Sequence, residues 1–195
     1  MTLEFDLSID DSVRKYARLV LVGGPGMGKT TFGTQCDSPV FIITEDGCEA
    51  RVSKIPKSGK IEKWEDLLAA VGYLIKEETD KKTVVLDTLN AAEALCRDYI
   101  LNTKFGGRML PERGKEGYMS WAQGDRLMQQ EFIRLINGLD ILRNKKNMFV
   151  VLVCHEGLHK QGNALGDDFL KIGGAMSKYT WPTALEWADQ VGHVT

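Results

Sequence analysis

The sequence holds no uncharged apolar run approaching the ~20 residues needed to cross a bilayer, so a membrane-spanning protein is not expected. Cysteines are few: Cys36, Cys48, Cys96 and Cys154 lie far apart with no C-x-x-C pair. This argues against a zinc ribbon or a dithiol redox motif, and the four read as reduced, mostly buried apolar side chains. Neither sign of charge dominates. With 25 basic and 27 acidic residues the formal charge is -2, which argues against a polybasic nucleic-acid binder but leaves room for a local basic groove. Residues 1–22 place acidic side chains ahead of any apolar stretch and lack a basic segment followed by an uncharged one. A secretory leader is therefore not expected, and a cytoplasmic location is. There is no internal repeat and no low-complexity tract.

What the chain does hold is enough apolar material for one core. Its 195 residues are 43 % hydrophobic, which fits a single domain over 1–195 able to bury about 70 % of its unfolded surface without disulfides. Five short runs rich in Val, Ile and Leu occur at 18–22, 39–44, 83–87, 148–154 and 190–195. Near-continuous apolar runs suit strands covered on both faces, as in a parallel sheet flanked by helices. Between them lie two helical stripes. Trp64, Leu67, Leu68, Val71 and Ile75 recur at three- and four-residue spacing, as do Met128, Phe132, Leu135, Ile136, Leu139 and Leu142. Strands alternating with helices predict a three-layer α/β fold with a mainly parallel sheet. Two Gly-rich stretches of mixed charge, 104–117 and 156–178, read as long functional loops. The final strand reads as stopping at Thr195, which points to a trimmed end.

The sharpest motif is Gly23-Gly24-Pro25-Gly26-Met27-Gly28-Lys29-Thr30, directly after LVLV and followed by Thr31. It fits G-x-x-x-x-G-K-[ST] in the strand-to-helix context that the motif requires. Its glycines let backbone N–H groups turn inward around a polyphosphate, as in ATP. Lys29 reaches the β- and γ-phosphates, and the Thr30 hydroxyl is a ligand for Mg²⁺. The competing reading is a Gly-rich turn that happens to precede Lys-Thr. The run TVVLDT ends a buried strand in Asp87, a carboxylate placed to hold the Mg²⁺ shell through water, or else to cap the next helix. The strand PVFIIT delivers Glu45 and Asp46 to the same edge, with Glu45 the expected base for an in-line water and Asp46 the next choice. His155, after the run 148–154, is a candidate sensor of the γ-phosphate, against the plainer role of a local hydrogen-bonder.

The set GGPGMGKT, FIITEDG, TVVLDT and VVLVCHEG, in that order and spacing, resembles the RecA-core P-loop ATPases. More closely it is similar to small phage-encoded RecA-like ATPases, the phage nucleotide-binding protein family, related to single-strand annealing recombinases. The resemblance covers the chain from Arg18 onward. It implies a sheet in the order 5-1-4-3-2, a catalytic glutamate at Glu45, a metal-binding aspartate at Asp87 and a sensor at His155, where RecA has glutamine. It also implies ATP and Mg²⁺ as cofactors and a role in DNA recombination, replication or repair. Homo-oligomeric rings or filaments and single-stranded DNA as a partner follow from the same likeness.

For the DNA surface it points to 156–172, whose Lys160 and Lys171 face Glu156, Asp167 and Asp168, with Phe169 the one aromatic. The stretch 104–117 is more basic, with Lys104, Arg108, Arg113 and Lys115 against Glu112 and Glu116, and has Phe105 and the neighbouring Tyr118 as aromatics. Lys178 falls in a region resembling the one that supplies a cation to a neighbouring subunit. Two other functions fit the same motifs. A small-molecule kinase would use Arg108 and Arg113 as a lid, and a non-hydrolysing scaffold would bind nucleotide without turnover.

Overall fold

The protein is described by a computed structural model covering residues 16–48, 50–163 and 166–195. The domain expected over 1–195 therefore has its first 15 residues outside the described part, as are positions 164 and 165 of the 156–172 stretch. In chain order the elements are β1 (Arg18–Gly23), α1 (Lys29–Thr34), β2 (Pro39–Ile43), β3 (Lys57–Lys60), α2 (Trp64–Lys76), β4 (Thr83–Asp87) and α3 (Leu89–Phe105). A 3₁₀ turn (Ser120–Ala122) then precedes α4 (Gln123–Lys146), β5 (Phe149–Gln161), β6 (Phe169–Gly174), α5 (Thr180–Trp187) and β7 (Gln190–Val194).

The sheet runs β3-β2-β4-β5-β1-β7, every neighbouring pair parallel. Read from the β7 edge, the five strands expected from sequence stand in the expected 5-1-4-3-2 order, and the fold is the three-layer α/β of P-loop NTPases. Period-2 alternation sorts their side chains between two cores. Val20, Val22, Val40, Ile42, Val84, Leu86, Val150 and Leu152 point to the face covered by α2, α3, α4 and α5. Leu19, Phe41, Ile43, Val85, Val151 and Val153 point to the other, under α1 and the turn around Val52. All six apolar residues of the α4 stripe are buried, as are Trp64, Leu67 and Val71 of α2. Leu68 and Ile75 sit at the rim of the same core. No helix among the described residues is long and apolar enough to cross a membrane.

Two features depart from the sequence reading. The edge strand β3, KSGK, carries no apolar signal. It exists because the flanks of β2 recruit it: Phe41 N–H donates to Pro56 O at 2.9 Å, Ile61 N–H to Ile43 O at 2.8 Å, and Ile43 N–H to Ser58 Oγ at 3.0 Å. The second correction concerns 156–178, expected as a long loop. There β5 leaves the sheet beyond His155 without a break and folds back through β6 as an antiparallel ribbon, from the Glu156–Gly174 pair to the Gln161–Phe169 pair. Its apolar side chains Leu158, Phe169, Leu170 and Ile172 are exposed and burial is confined to its base at Gly173 and Gly174, so backbone hydrogen bonds carry much of the pairing.

Candidate functional site

The C-terminal ends of β1, β2, β4 and β5 open onto one cavity of about 220 Å³, lined from the phosphate loop by Pro25, Gly26, Gly28, Lys29 and Thr30. Gly26 (φ 79°) and Gly28 (φ 96°) hold the loop in left-handed conformations that a side chain would strain. Farther on, α1 lies close to the sheet at Gly33, where a Cβ would come within 3.0 Å of Phe41 and Val85. That approach fixes the height of Lys29 and Thr30 above the strand ends. The Gly23 and Gly24 carbonyls turn inward and accept from Lys29 Nζ at 2.7 Å each. Met27 is exposed on the crown of the loop, and Thr31 lies exposed on α1, outside the cavity lining.

Opposite the loop, Thr30 Oγ1 donates to Asp87 Oδ2 at 2.7 Å. Asp87 is buried at the end of β4, and burial pushes its carboxyl pKa up while the Thr30 hydroxyl pulls it down. Burial likewise lowers the Lys29 pKa, against the attraction of Asp87 and Glu45. The capping alternative for Asp87 is taken by its neighbour: Thr88 Oγ1 accepts from Ala91 N–H at the start of α3. Asp87 is thereby left facing Thr30. A hydroxyl and a carboxylate so placed fit a Mg²⁺ ion whose remaining ligands are phosphate oxygens and water. Among the described residues no three His, Cys, Asp or Glu side chains cluster as an all-protein metal site, and such a shared site needs none.

Glu45 is held at both oxygens. Thr88 Oγ1 donates to Oε2 at 2.8 Å, and His155 Nε2 lies 2.9 Å from Oε1. A carboxylate only accepts, so Nε2 carries the proton, and Nδ1 is buried with no partner among the described residues. The His155 amide is fixed in turn by Asn90 Oδ1 at 3.0 Å. Thr44 Oγ1 accepts from Thr88 N–H and donates to Thr88 O, both at 2.7 Å, locking the ends of β2 and β4 together. Asp46 also lines the cavity but is paired with Lys60 at 2.5 Å.

The structure thus gathers Lys29, Thr30, Glu45, Asp87 and His155 from four separate elements into one lining. Arg51 and Thr88 share that lining, and Asn90 bonds His155 without lining the cavity. Arg51 lines the cavity wall together with Asp46, Gly47 and Cys48. Thr88 holds Glu45 and Asn90 holds His155. Of these only Thr88 leaves a sequence signal, as a threonine directly before a helical stretch.

Lys178, Arg108 and Arg113 do not line this cavity. Lys178 Nζ lies 5.3 Å from the Tyr179 ring centre. The aromatics counted with the basic 104–117 stretch belong to the core: Phe105 and Tyr118 are 4 % and 3 % exposed and meet edge to face with centroids 5.8 Å apart, whereas Phe169 of the other stretch is exposed. Trp121, 90 % exposed, is the aromatic that this region presents to solvent.

No curated protein matches the chain. A family model described as AAA domain matches residues 15–195, nearly the whole chain, and spans every strand and loop that builds the cavity. On that match and on the geometry of its phosphate loop, the protein belongs to the AAA domain family and carries a P-loop ATPase-like domain.

Proposed function

We propose that the protein is a Mg²⁺-dependent RecA-like ATPase of phage origin that acts in DNA recombination, replication or repair, coupling its ATP state to single-stranded DNA binding and to assembly of copies into a ring or filament. The observation that carries this reading is that the triad Thr88–Glu45–His155 lines one cavity with Lys29 and the Thr30–Asp87 pair. The loop amides and Lys29 would bind the polyphosphate. Mg²⁺, held by Thr30 and by Asp87 through water, would supply charge neutralisation between the β- and γ-phosphates. Glu45, in the same lining, would be the base that orients the attacking water in line with the γ-phosphorus. A carboxylate has about four lone-pair sites, so two hydrogen bonds leave it able to accept from that water.

His155 couples the site to the rest of the chain. It sits where β5 passes out of the sheet into the ribbon, and its hydrogen bond to Glu45 competes with any bond to a γ-phosphate. A contact made only in the ATP state biases the ribbon between two arrangements. For DNA the supporting surface is the connector between α3 and α4. There Trp121 offers a free aromatic face in a groove with Arg113 and Lys115, which Glu112 and Glu116 also line, and Lys104 and Arg108 line an adjoining groove that shares Lys115.

The test is phosphate release with no DNA, duplex DNA and single-stranded DNA, with Lys29→Ala as the reference. Turnover that rises with single strands and disappears in folded Lys29→Ala is expected. Unchanged turnover in Lys29→Ala overturns the ATPase assignment, tight nucleotide binding without turnover identifies a scaffold, and phosphate transfer to a nucleoside identifies a kinase.

A further inference from the structure

A second groove, of about 570 Å³, lies between the β5–β6 ribbon, α5 and β7. One wall is built rigidly. Trp181 lies flat under the ribbon, where a Cβ on Gly173 would come 2.8 Å from its Nε1 and one on Gly174 2.5 Å from its Cζ3. His159 stacks on the indole with ring centres 5.9 Å apart, and its Nε2 bonds Gly174 O at 2.7 Å. The indole N–H itself has no hydrogen-bond partner among the described residues. Ile172, Pro182, Leu185 and Val191 make the apolar part of the lining.

Every charged residue in the lining is basic, and none is arginine. Lys160 is committed to Asp168 at 2.8 Å and His193 to Glu156 at 3.3 Å. Lys171 and Lys178 have no carboxylate partner among the described residues. The groove therefore offers two unpaired ammonium groups and an indole donor beside an aliphatic surface.

We infer that this groove docks an acidic peptide segment carrying aliphatic side chains, its carboxylates on Lys171, Lys178 and the Trp181 N–H and its apolar side chains on Leu185, Ile172 and Val191. A nucleic-acid strand fits less well. Strand binders stack bases on free aromatic faces, whereas Trp181 is 7 % exposed and one face is taken by His159. Phosphate recognition also favours arginine forks, which are absent from the lining. An extended peptide has a further handhold. The outer edge of β7 has no neighbouring strand among the described residues, so its main chain is open to pairing beside the groove. This inference does not depend on the ATPase reading, because no residue of the groove lines the nucleotide cavity.

The test is selection of a random twelve-residue display library on the immobilised full-length protein, followed by fluorescence anisotropy with labelled winners. The expected consensus combines Asp or Glu with Leu, Ile or Val. Its affinity should fall at least tenfold in Lys171→Glu and in Val191→Asp, both exposed positions, and stay unchanged in Lys76→Glu, exposed at the end of α2 on another surface. Nucleotide binding and melting temperature should be preserved in all three, which separates this outcome from failure of the nucleotide site. The inference is overturned by a basic consensus or none, or by winners that bind Lys171→Glu as well as wild type. It is also overturned if oligo(dT) displaces the winners and depends on the same two residues, which marks a nucleic-acid site. Loss of self-association in the two variants without peptide binding would mark a second copy of the chain as occupant.

Discussion

Replacing Glu45 by glutamine keeps the shape of the side chain and removes the charge that a base needs. In the structure its two oxygens accept from Thr88 Oγ1 at 2.8 Å and meet His155 Nε2 at 2.9 Å. Glutamine retains an oxygen for the His155 N–H, and its amide can donate to the Thr88 hydroxyl, which also accepts. Both hydrogen bonds lose their charge assistance, a loss of about 1–2 kcal/mol in all, or about 2–8 °C in melting temperature for a domain of this size. Catalysis should suffer far more. Losing general-base assistance costs about 10²–10⁴-fold in kcat, equivalent to about 3–5 kcal/mol of barrier. ATP affinity should hold within about threefold, because the proposed phosphate contacts come from the loop amides and Lys29 and not from Glu45. Single-turnover phosphate release gives kcat, titration with a fluorescent ATP analogue gives affinity, and a thermal melt gives stability. Phosphate release within threefold of wild type from ATP-loaded Glu45→Gln refutes the assignment and moves the role to Asp46. Glu45→Ala is the less informative variant, since it strands both the Thr88 hydroxyl and the His155 N–H and lowers stability as well.

Asp87→Asn should lose Mg²⁺-dependent nucleotide affinity and turnover together, measured by titration with and without Mg²⁺. In the nucleotide-free protein the same change should raise the melting temperature at neutral pH, because burial lifts the Asp87 pKa and its ionised form opposes folding. The folded state holds that proton more tightly than the unfolded one. The wild type therefore recovers stability as pH falls from the raised value toward the ordinary 3.8, and the gap to the asparagine variant closes over that window. A gap that widens on acidification contradicts this. His155→Ala should bind ATP nearly as wild type but show equal single-stranded DNA affinity with ATP and ADP, by anisotropy at one salt concentration; a surviving difference assigns the coupling elsewhere. Trp121→Ala should leave stability within about 0.5 kcal/mol, since the side chain is almost fully exposed, and weaken single-stranded DNA binding by about 1–3 kcal/mol. Unchanged DNA affinity in Trp121→Ala removes the connector from the DNA surface.

What the sequence determined by itself is local in origin. The Walker-type loop is legible because Gly26 and Gly28 occupy conformations only glycine tolerates, and Lys29 and Thr30 follow at fixed distance along the chain. The central strands and the α2 and α4 stripes are legible because burial on one face imposes a period of 2 or 3.6. Tertiary structure decided whatever depends on partners far along the chain. Glu45 and His155 are separated by 110 positions, and nothing near either one announces their pairing. Arg51 reaches the site from a turn without periodicity, and KSGK becomes a strand only because β2 has an open edge. Aromatic identity says nothing of which way a ring faces. Tyr118 is buried because Gly124 leaves room against its ring, where a Cβ would come within 2.4 Å, and because its hydroxyl finds Asp125 at 3.0 Å, whereas Trp121 three residues on finds no such pocket and stays in solvent. Local conformational preference is written residue by residue, while a site assembled across strand ends depends on packing that fixes distances between segments with no sequence in common.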